Sequence, residues 1–298
     1  MKIKEILTVT GIVLIVGVFT VYYAEQRIWN YDNSVYQLKL GIQQYDFSNP
    51  KQRWDLPKEL KEISGLSFYK KNQLACVQDE EGVLYVYDLK KETVIRSDKF
   101  GKKGDYEAVE VVDDTAYILK SNGEIYYFHV KPMGIGDVNK INTELTNKND
   151  TEGLGFNKSK NELLIACKEE PGTKEVELEK SRSVYSVHQP DKKFIQNPKY
   201  VIESKSYNEM LEKKGLDKKA HKPFKPSGIA VHPKTNYVFI IGTVGKIMVI
   251  LTPEGAIADL VPLDPGLFAQ PEGICFSPEG DLYISSEGKR KKGYILKF

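Results

Sequence analysis

The sequence has little of what many enzymes use for chemistry. Its 298 residues include only three cysteines and four histidines, and neither type shows metal-ligand spacing. The chain contains no His-Glu-x-x-His motif, no Gly-x-Ser-x-Gly motif and no phosphate-binding glycine loop. An odd number of cysteines, each inside an apolar strand-like run, is typical of buried free thiols and not of a disulfide framework. These absences disfavour a triad hydrolase.

The chain also lacks an excess of charge of one sign. It has 43 Lys and Arg against 41 Asp and Glu, which leaves a net charge of +2. Because no overall field would attract nucleic acid, we expect no nucleic-acid partner. A hydrophobic fraction of 41% is enough for a sizeable core, and the length fits one large all-β domain or two ordinary domains.

One long hydrophobic run stands near the N-terminus. Residues 6–23 carry no charge and are long enough for a membrane span, which needs about 17–25 residues. Lys2 and Lys4 precede the run, so the N-terminus is expected in the cytoplasm and the rest outside it. Ala24 lacks the second small residue of a cleavage site, which favours a retained signal anchor over a cleaved signal peptide.

This run predicts a single-pass protein of the cell membrane whose main domain lies on the extracytoplasmic (periplasmic) side. The predicted parts are a cytoplasmic N-terminus with the membrane anchor at 1–24, a linker at 25–42 and a folded domain at 43–298.

What the chain does have is an internal repeat. Five segments align without gaps: "SGLSF" at 64, "EAVEV" at 107, "EGLGF" at 152, "SGIAV" at 227 and "EGICF" at 272. A turn and a second β-rich run follow each segment. Repeats of about 40–45 residues with several short strands are typical of propeller blades. The sequence therefore predicts an all-β, five-bladed β-propeller.

Six blades are the alternative, because one interval, from 152 to 227, is longer than the others. No sixth start motif occurs there, and the interval contains an insertion at 204–221 that reads as a short helix. The last blade has only three strands before the chain ends at Phe298. The segment 36–48 alternates in polarity, so we predict that it supplies the missing outer strand and closes a monomeric ring.

Aligned columns of the repeat point to a functional site. The second column is small and the fifth is large, which suits innermost strands packed between neighbouring blades. The first column consists of Ser64, Glu107, Glu152, Ser227 and Glu272. Three glutamates would converge at one mouth of the central channel, where like charges oppose one another's ionisation.

Oxygen-only ligands suit a hard cation, so we predict that Glu107, Glu152 and Glu272 bind Ca²⁺ in preference to Mg²⁺. Water or a cationic ligand is the alternative. Glu110 interrupts the otherwise small fourth column. It predicts either a charged group near the axis that could join a ligand site or a blade that widens locally.

The motifs "GDYEAVEVV", "DTEGLGF", "PSGIAVHP" and "PEGICFSPEGDLYIS" resemble the SdiA-regulated family over roughly residues 45–298. The resemblance implies a bacterial propeller with an N-terminal export or anchor segment, similar to esterase-like phytases and other calcium-associated propellers. It also implies an acidic site at the channel mouth, mapped to Glu107, Glu152 and Glu272. The insertion at 204–221 departs from the usual length of the family.

Second strands end in polar residues that could surround the same mouth and bind a ligand. These residues are Asp79, Lys120, Lys168 and Glu287. Two functions remain open. One is a ligand-binding or partner-binding module of the cell envelope that uses the propeller face and the insertion. The other is a metal-dependent hydrolase of phosphate or ester substrates, in which Lys120 and Lys168 steady anionic charge.

Overall fold

The computed structural model describes residues 37–40, 43–174, 176, 178, 181–288 and 291–298, with side chains from residue 45 onward. The predicted anchor at 6–23 lies outside the described residues. No helix in the described part of the chain combines the length and the apolar character that crossing a membrane requires.

The described chain is almost entirely β-structure. It begins with a two-stranded antiparallel hairpin of β1 (Gln37–Leu40) and β2 (Gln43–Asp46), and a separate strand, β3 (Gln52–Asp55), follows. A short 3-10 helix (Lys58–Leu60) leads into the repeat. The remaining strands, in chain order, are β4 (Ile63–Lys70), β5 (Gln73–Gln78), β6 (Val83–Asp88), β7 (Thr93–Lys99), β8 (Tyr106–Val112), β9 (Thr115–Lys120), β10 (Ile125–His129), β11 (Asn139–Ile141), β12 (Thr151–Asn157), β13 (Glu162–Cys167), β14 (Ser181–His188), β15 (Lys193–Glu203), β16 (Gly228–Val231), β17 (Val238–Gly242), β18 (Ile247–Leu251), β19 (Ile257–Pro262), β20 (Pro271–Phe276), β21 (Leu282–Ser286) and β22 (Tyr294–Lys297).

Five four-stranded antiparallel sheets make the blades of a propeller. They are β4–β7, β8–β11, β12–β15, β16–β19, and β20–β22 with β3. The first strand of each sheet contacts the first strands of the two neighbouring sheets, so β4, β8, β12, β16 and β20 surround the central channel. The five-bladed all-β prediction is confirmed.

The hydrophobic core is divided among the blade interfaces. Five buried clusters occur, each with side chains from two adjacent blades. Second strands such as β17 and β21 are buried along their whole length, because a blade covers each of their faces. The three cysteines are buried free thiols, as predicted.

The ring closes through its ends, but not through the predicted segment. The outer strand of the last blade is β3, which pairs antiparallel with β22, with Trp54 opposite Ile295. The prediction that residues 36–48 form this strand is wrong, since β1 and β2 pair with each other. Trp54 fills the gap between the last and first blades, and its indole Nε1 donates a hydrogen bond to the Leu89 carbonyl at 2.9 Å.

The insertion forms the helix α1 (Ser204–Lys213), which confirms the predicted short helix. Its buried residues, Tyr207 and Leu211, join the cluster between the third and fourth blades. The Tyr207 ring stacks on Phe224 with a centroid distance of 5.6 Å. The insertion therefore packs on the side of the propeller.

Candidate functional site

Register shifts, such as β-bulges, place the first residue of the repeat in four blades, and the pairing of β4 with β5 leaves out Ser64 in this way. The pairing of β8 with β9 shifts between Tyr106 and Ala108, which leaves Glu107 as an extra residue. Glu152 is the extra residue of β12 in the same way, and Glu272 lies inside an irregular stretch of β20. A bulge re-aims its side chain relative to the regular pleat. In each of the three strands, the glutamate side chain is therefore turned away from the regular alternation of side chains along the strand.

The residue after each bulge is small because the inner strands of neighbouring blades meet there. A Cβ atom on Gly65 would lie 2.7 Å from the Cα of Ala108 in the next blade. A Cβ atom on Gly153 would lie 2.9 Å from Cγ2 of Ile229. The close approach explains the small second column, and it brings the first-column side chains together around the axis.

Glu152 is paired with a lysine. Only 7% of Glu152 is exposed, and its carboxylate accepts a hydrogen bond from the Lys168 ammonium. That ammonium also lies 3.4 Å from Oδ2 of Asp150. Burial raises the pKa of Glu152, and the charge of Lys168 opposes this rise. Burial alone would lower the pKa of Lys168, but the Glu152 and Asp150 carboxylates raise it above its ordinary value.

Glu107 and Glu272 lie within electrostatic range of Glu152. Burial, and then the Glu152 charge, raise the pKa of Glu107 to about 10, and its carboxyl group shares a hydrogen bond with Asp105. The same two causes raise the pKa of Glu272 to about 8, against a hydrogen bond from Thr243 and the charge of Lys168. Both glutamates therefore carry a proton at neutral pH. We call Glu107, Glu152, Glu272 and Lys168 the acidic mouth.

The other predicted second-strand residues do not all join this group. Glu287 is near enough to raise the pKa of Glu272, and it accepts a hydrogen bond from Gln270. The Lys120 ammonium lies 5.8 Å from the centroid of the Tyr106 ring. Burial, and then the charge of Glu62, raise the pKa of Asp79. Asp79 Oδ1 is buried and has no hydrogen-bond partner among the residues that the structure describes.

Glu110 lies apart from the acidic mouth. It lines a cavity with Ser67, Phe68 and other residues near the distal ends of the inner strands. Burial raises the pKa of Glu110 to about 8, and a hydrogen bond from Ser67 opposes this rise. Of its two sequence interpretations, a charged group near the axis is the one that fits this position.

Sequence reasoning missed two aspartates and gave the serines of the first column no role. Asp105 and Asp150 lie two residues before Glu107 and Glu152, and the recurring Asp-x-Glu spacing could have revealed them. The Ser64 hydroxyl donates to the Tyr106 carbonyl at 2.7 Å. The Ser227 hydroxyl donates to the Pro271 carbonyl at 2.6 Å. These serine hydroxyls therefore link neighbouring blades.

The donor chemistry of the acidic mouth suits a hard cation, because every carboxylate offers oxygen and no thiol or imidazole takes part. In their present arrangement, however, the described side chains include no group of three or more Asp, Glu, His or Cys that could hold a metal ion. Lys168 provides the positive charge next to Glu152. A metal ion would therefore fit only if Lys168 moved away and the protonated glutamates lost their protons.

The fold and the acidic mouth together make this chain a five-bladed propeller with a charged entrance to its central channel. A propeller fold alone does not determine function. The SdiA-regulated family model matches residues 42–291, and the chain belongs to this family. None of the curated proteins matches the chain by sequence.

Several solved structures share the fold at low sequence identity. Glutaminyl cyclase from Myxococcus xanthus is 9% identical with a TM-score of 0.56, covering 84% of this chain and 94% of its own. The PQQ-bound aldose sugar dehydrogenase from Streptomyces coelicolor is 11% identical with a TM-score of 0.50, covering 84% and 96%. A gluconolactonase from Xanthomonas campestris is 10% identical with a TM-score of 0.50, covering 78% and 71%. At these identities the likeness shows the fold alone.

Proposed function

We propose that this protein is a membrane-anchored, exported propeller of the cell envelope that binds Ca²⁺ at the acidic mouth and uses the loaded mouth to hold a ligand or partner. Anchoring rests on the apolar run at 6–23 and on Lys2 and Lys4 before it. The cation rests on the chemistry of the acidic mouth.

A single observation carries the proposal: three bulge-placed glutamates share one channel entrance with a single lysine among them. The glutamates avoid repulsion by keeping protons on Glu107 and Glu272. A divalent cation could replace those protons and the Lys168 ammonium, because it supplies two positive charges and takes oxygen ligands. Glu107, Glu152 and Glu272 would hold the ion, and binding would release protons.

A metal-dependent phosphoesterase or esterase is the alternative function. The protonated state of Glu107 and Glu272 favours it, because a carboxylic acid that keeps its proton at neutral pH can act as a general acid. Lys168, in contrast, pairs with Glu152 and is not free for a substrate phosphate in this arrangement. A binding module is the better supported function, since it requires only the cation site and no free lysine for a substrate.

Calorimetric titration of Ca²⁺ into the full chain, in a mild non-ionic detergent, tests the proposal. We expect saturable one-to-one binding with proton release, measured by comparing two buffers of different ionisation enthalpy. Glu152→Gln removes the central ligand and should weaken binding at least about tenfold. Glu170 is an exposed carboxylate outside the acidic mouth, so Glu170→Gln serves as the matched control. Equal Ca²⁺ affinity in Glu152→Gln and Glu170→Gln would refute the site, and turnover of phosphate esters by the loaded protein would favour the hydrolase.

A further inference from the structure

The cavity that Glu110 lines is at the end of the central channel away from the glutamate bulges. Its volume is about 320 Å³, near the lower limit of small-molecule sites, which span about 300–1,000 Å³. Residues of all five inner strands line it, so it lies on the axis of the propeller. We call this end the aromatic mouth, after Phe68, Phe156 and Phe276.

The three phenylalanines occupy the same column of the repeat, four residues after Ser64, Glu152 and Glu272. Each ring packs on a blade interface and remains half-buried. Part of each ring surface therefore lines the cavity. The cation–ring contacts among the described side chains involve none of these three rings.

Glu110 supplies the only carboxylate among the residues that line this cavity. The Glu110 side chain faces the channel. It is partly exposed to water there, and protein surrounds the rest of it. The ion pairs of the described residues include none with Glu110, and its hydrogen-bond partner is the neutral Ser67 hydroxyl. An acidic group held in such surroundings favours any ligand that brings a positive charge.

We propose that the aromatic mouth binds a small organic ammonium ion, with Phe68, Phe156 and Phe276 around the cation and Glu110 as its counter-charge.

Other ligand classes fit this cavity less well. A hard metal ion takes about six or more oxygen ligands, whereas the side chains that line the cavity offer mainly Glu110, two serine hydroxyls and one asparagine. An anion would meet the Glu110 carboxylate at the wall, and the one lysine of the lining, Lys158, is exposed to solvent. Aromatic faces and one carboxylate are the groups that recognise alkylammonium cations.

Choline is a suitable probe, and 3,3-dimethylbutan-1-ol has the same shape without the charge. Calorimetric titration of the full chain in non-ionic detergent should give one-to-one choline binding with a Kd on the order of 1 mM, and at least about tenfold weaker binding of the neutral alcohol. At pH 9, where Glu110 is ionised, Glu110→Gln and Phe156→Ala should each weaken choline binding about tenfold. Phe276→Ala provides a second ring variant, should Phe156→Ala not fold.

Glu279 is an exposed carboxylate in the turn beside the cavity residues Ser277 and Pro278, so Glu279→Gln is the matched control and should bind choline as the unchanged chain does. The melting temperature of every variant verifies folding. Equal binding of choline and the neutral alcohol would overturn the proposal, as would full affinity in Glu110→Gln or no saturable choline binding up to about 10 mM.

A pH series gives an independent readout. The titratable groups that line the cavity are Glu110, Lys158, His232 and Cys275. Burial raises the pKa of Glu110 to about 8 and lowers that of His232 to about 4, while burial raises that of Cys275 well above its ordinary value. Choline affinity should therefore rise between pH 6 and pH 9 in the unchanged chain and stay flat in Glu110→Gln. A flat profile in both would contradict the role of Glu110. Neither result depends on Ca²⁺ at the acidic mouth.

Discussion

The two ends of the channel are built from the same five strands, yet they differ in backbone and in chemistry. At the acidic mouth, bulges in β8, β12 and β20 interrupt the ladder at the glutamates. At the aromatic mouth, Phe156 and Phe276 sit in regular register opposite Leu163 and Leu282. One end therefore presents re-aimed charges, and the other presents ring surfaces fixed by the pleat.

The difference shows how one repeat can yield two sites. The glutamates of the first column do not follow the regular alternation of the strand, because each lies in a bulge. Their side chains can therefore approach the axis and interact across blades. Column five follows the pleat and packs on the blade interfaces. The acidic mouth depends on charge balance, and the aromatic mouth depends on packing. A substitution that changes charge should therefore affect mainly the acidic mouth, and one that changes packing should affect mainly the aromatic mouth.

The largest expected effect comes from removing the closing strand. A chain that begins at residue 56 loses β3 and the buried aromatic side chains of Tyr45, Phe47 and Trp54. Each such loss costs about 3–5 kcal/mol, and the sum approaches the whole stability of a typical domain, about 5–15 kcal/mol. Thermal melting should show a large drop or no cooperative transition.

The loss should affect the aromatic mouth first, because the Tyr45 ring lies 6.1 Å from that of Phe276. A chain that begins at residue 31 keeps all three aromatic residues and should melt close to the full chain. Similar melting of the two shortened chains would contradict closure by β3.

A smaller loss should follow from breaking the charge balance of the acidic mouth. Lys168→Met leaves the Glu152 carboxylate buried without its ammonium partner, which costs about 3 kcal/mol at neutral pH. Chemical denaturation should show this loss, and the loss should shrink as the pH falls, because the unpaired Glu152 carboxylate can take up a proton. Added Ca²⁺ should also restore stability if the proposed site exists.

Lys120 ends the equivalent strand of the preceding blade, and no described ion pair involves it. Lys120→Met should therefore change stability by no more than about 0.5 kcal/mol. If both lysine variants lose the same free energy, the pairing of Lys168 with Glu152 does not contribute as described.

The smallest expected effect, taken per pH unit, is a change in the slope of stability against pH. Glu272 has an ordinary pKa of 4.5 and a folded-state pKa of about 8. Between these values the unfolded chain has lost the proton and the folded chain has kept it. The stability that this proton contributes is complete below pH 4.5 and disappears as the pH rises to about 8.

The free energy of unfolding should thus fall with rising pH by at most about 1.4 kcal/mol per unit for this one group. Glu272→Gln should flatten the decline, and Glu107→Gln should do so over a range that extends to about pH 10. Denaturant titrations across pH 5 to pH 9 measure the slopes. Parallel curves for the variants and the unchanged chain would mean that the two carboxyl groups are not buried as protonated acids.

Much of this fold was predictable because the repeat is visible in sequence. The five aligned starts mark five inner strands, and the small column that includes Gly65 and Gly153 predicts their close contact. The closing strand was misassigned because the polarity of 36–48 alternates, as an outer strand does. The true strand, Gln52–Asp55, is short, and its decisive residue is the single aromatic Trp54.

The site was harder to predict than the fold. The convergence of the glutamates follows from their column, whereas the pairing of Glu152 with Lys168 depends on side-chain placement across two strands. Glu110 looked like a member of the same acidic group, but it lies in the fourth column and faces the other end. The aromatic mouth passed unnoticed because Phe68, Phe156 and Phe276 look like ordinary core residues in sequence.

Thermal melting of the full chain with Ca²⁺ and after chelation, at pH 6 and pH 8, tests the proposed cation site at the acidic mouth. We predict a bound metal ion by elemental analysis and a higher melting temperature with Ca²⁺. The gain should be larger at pH 8, where fewer protons compete for Glu272. Identical melting with and without Ca²⁺ at both pH values, and no bound metal, would contradict a cation site at the acidic mouth.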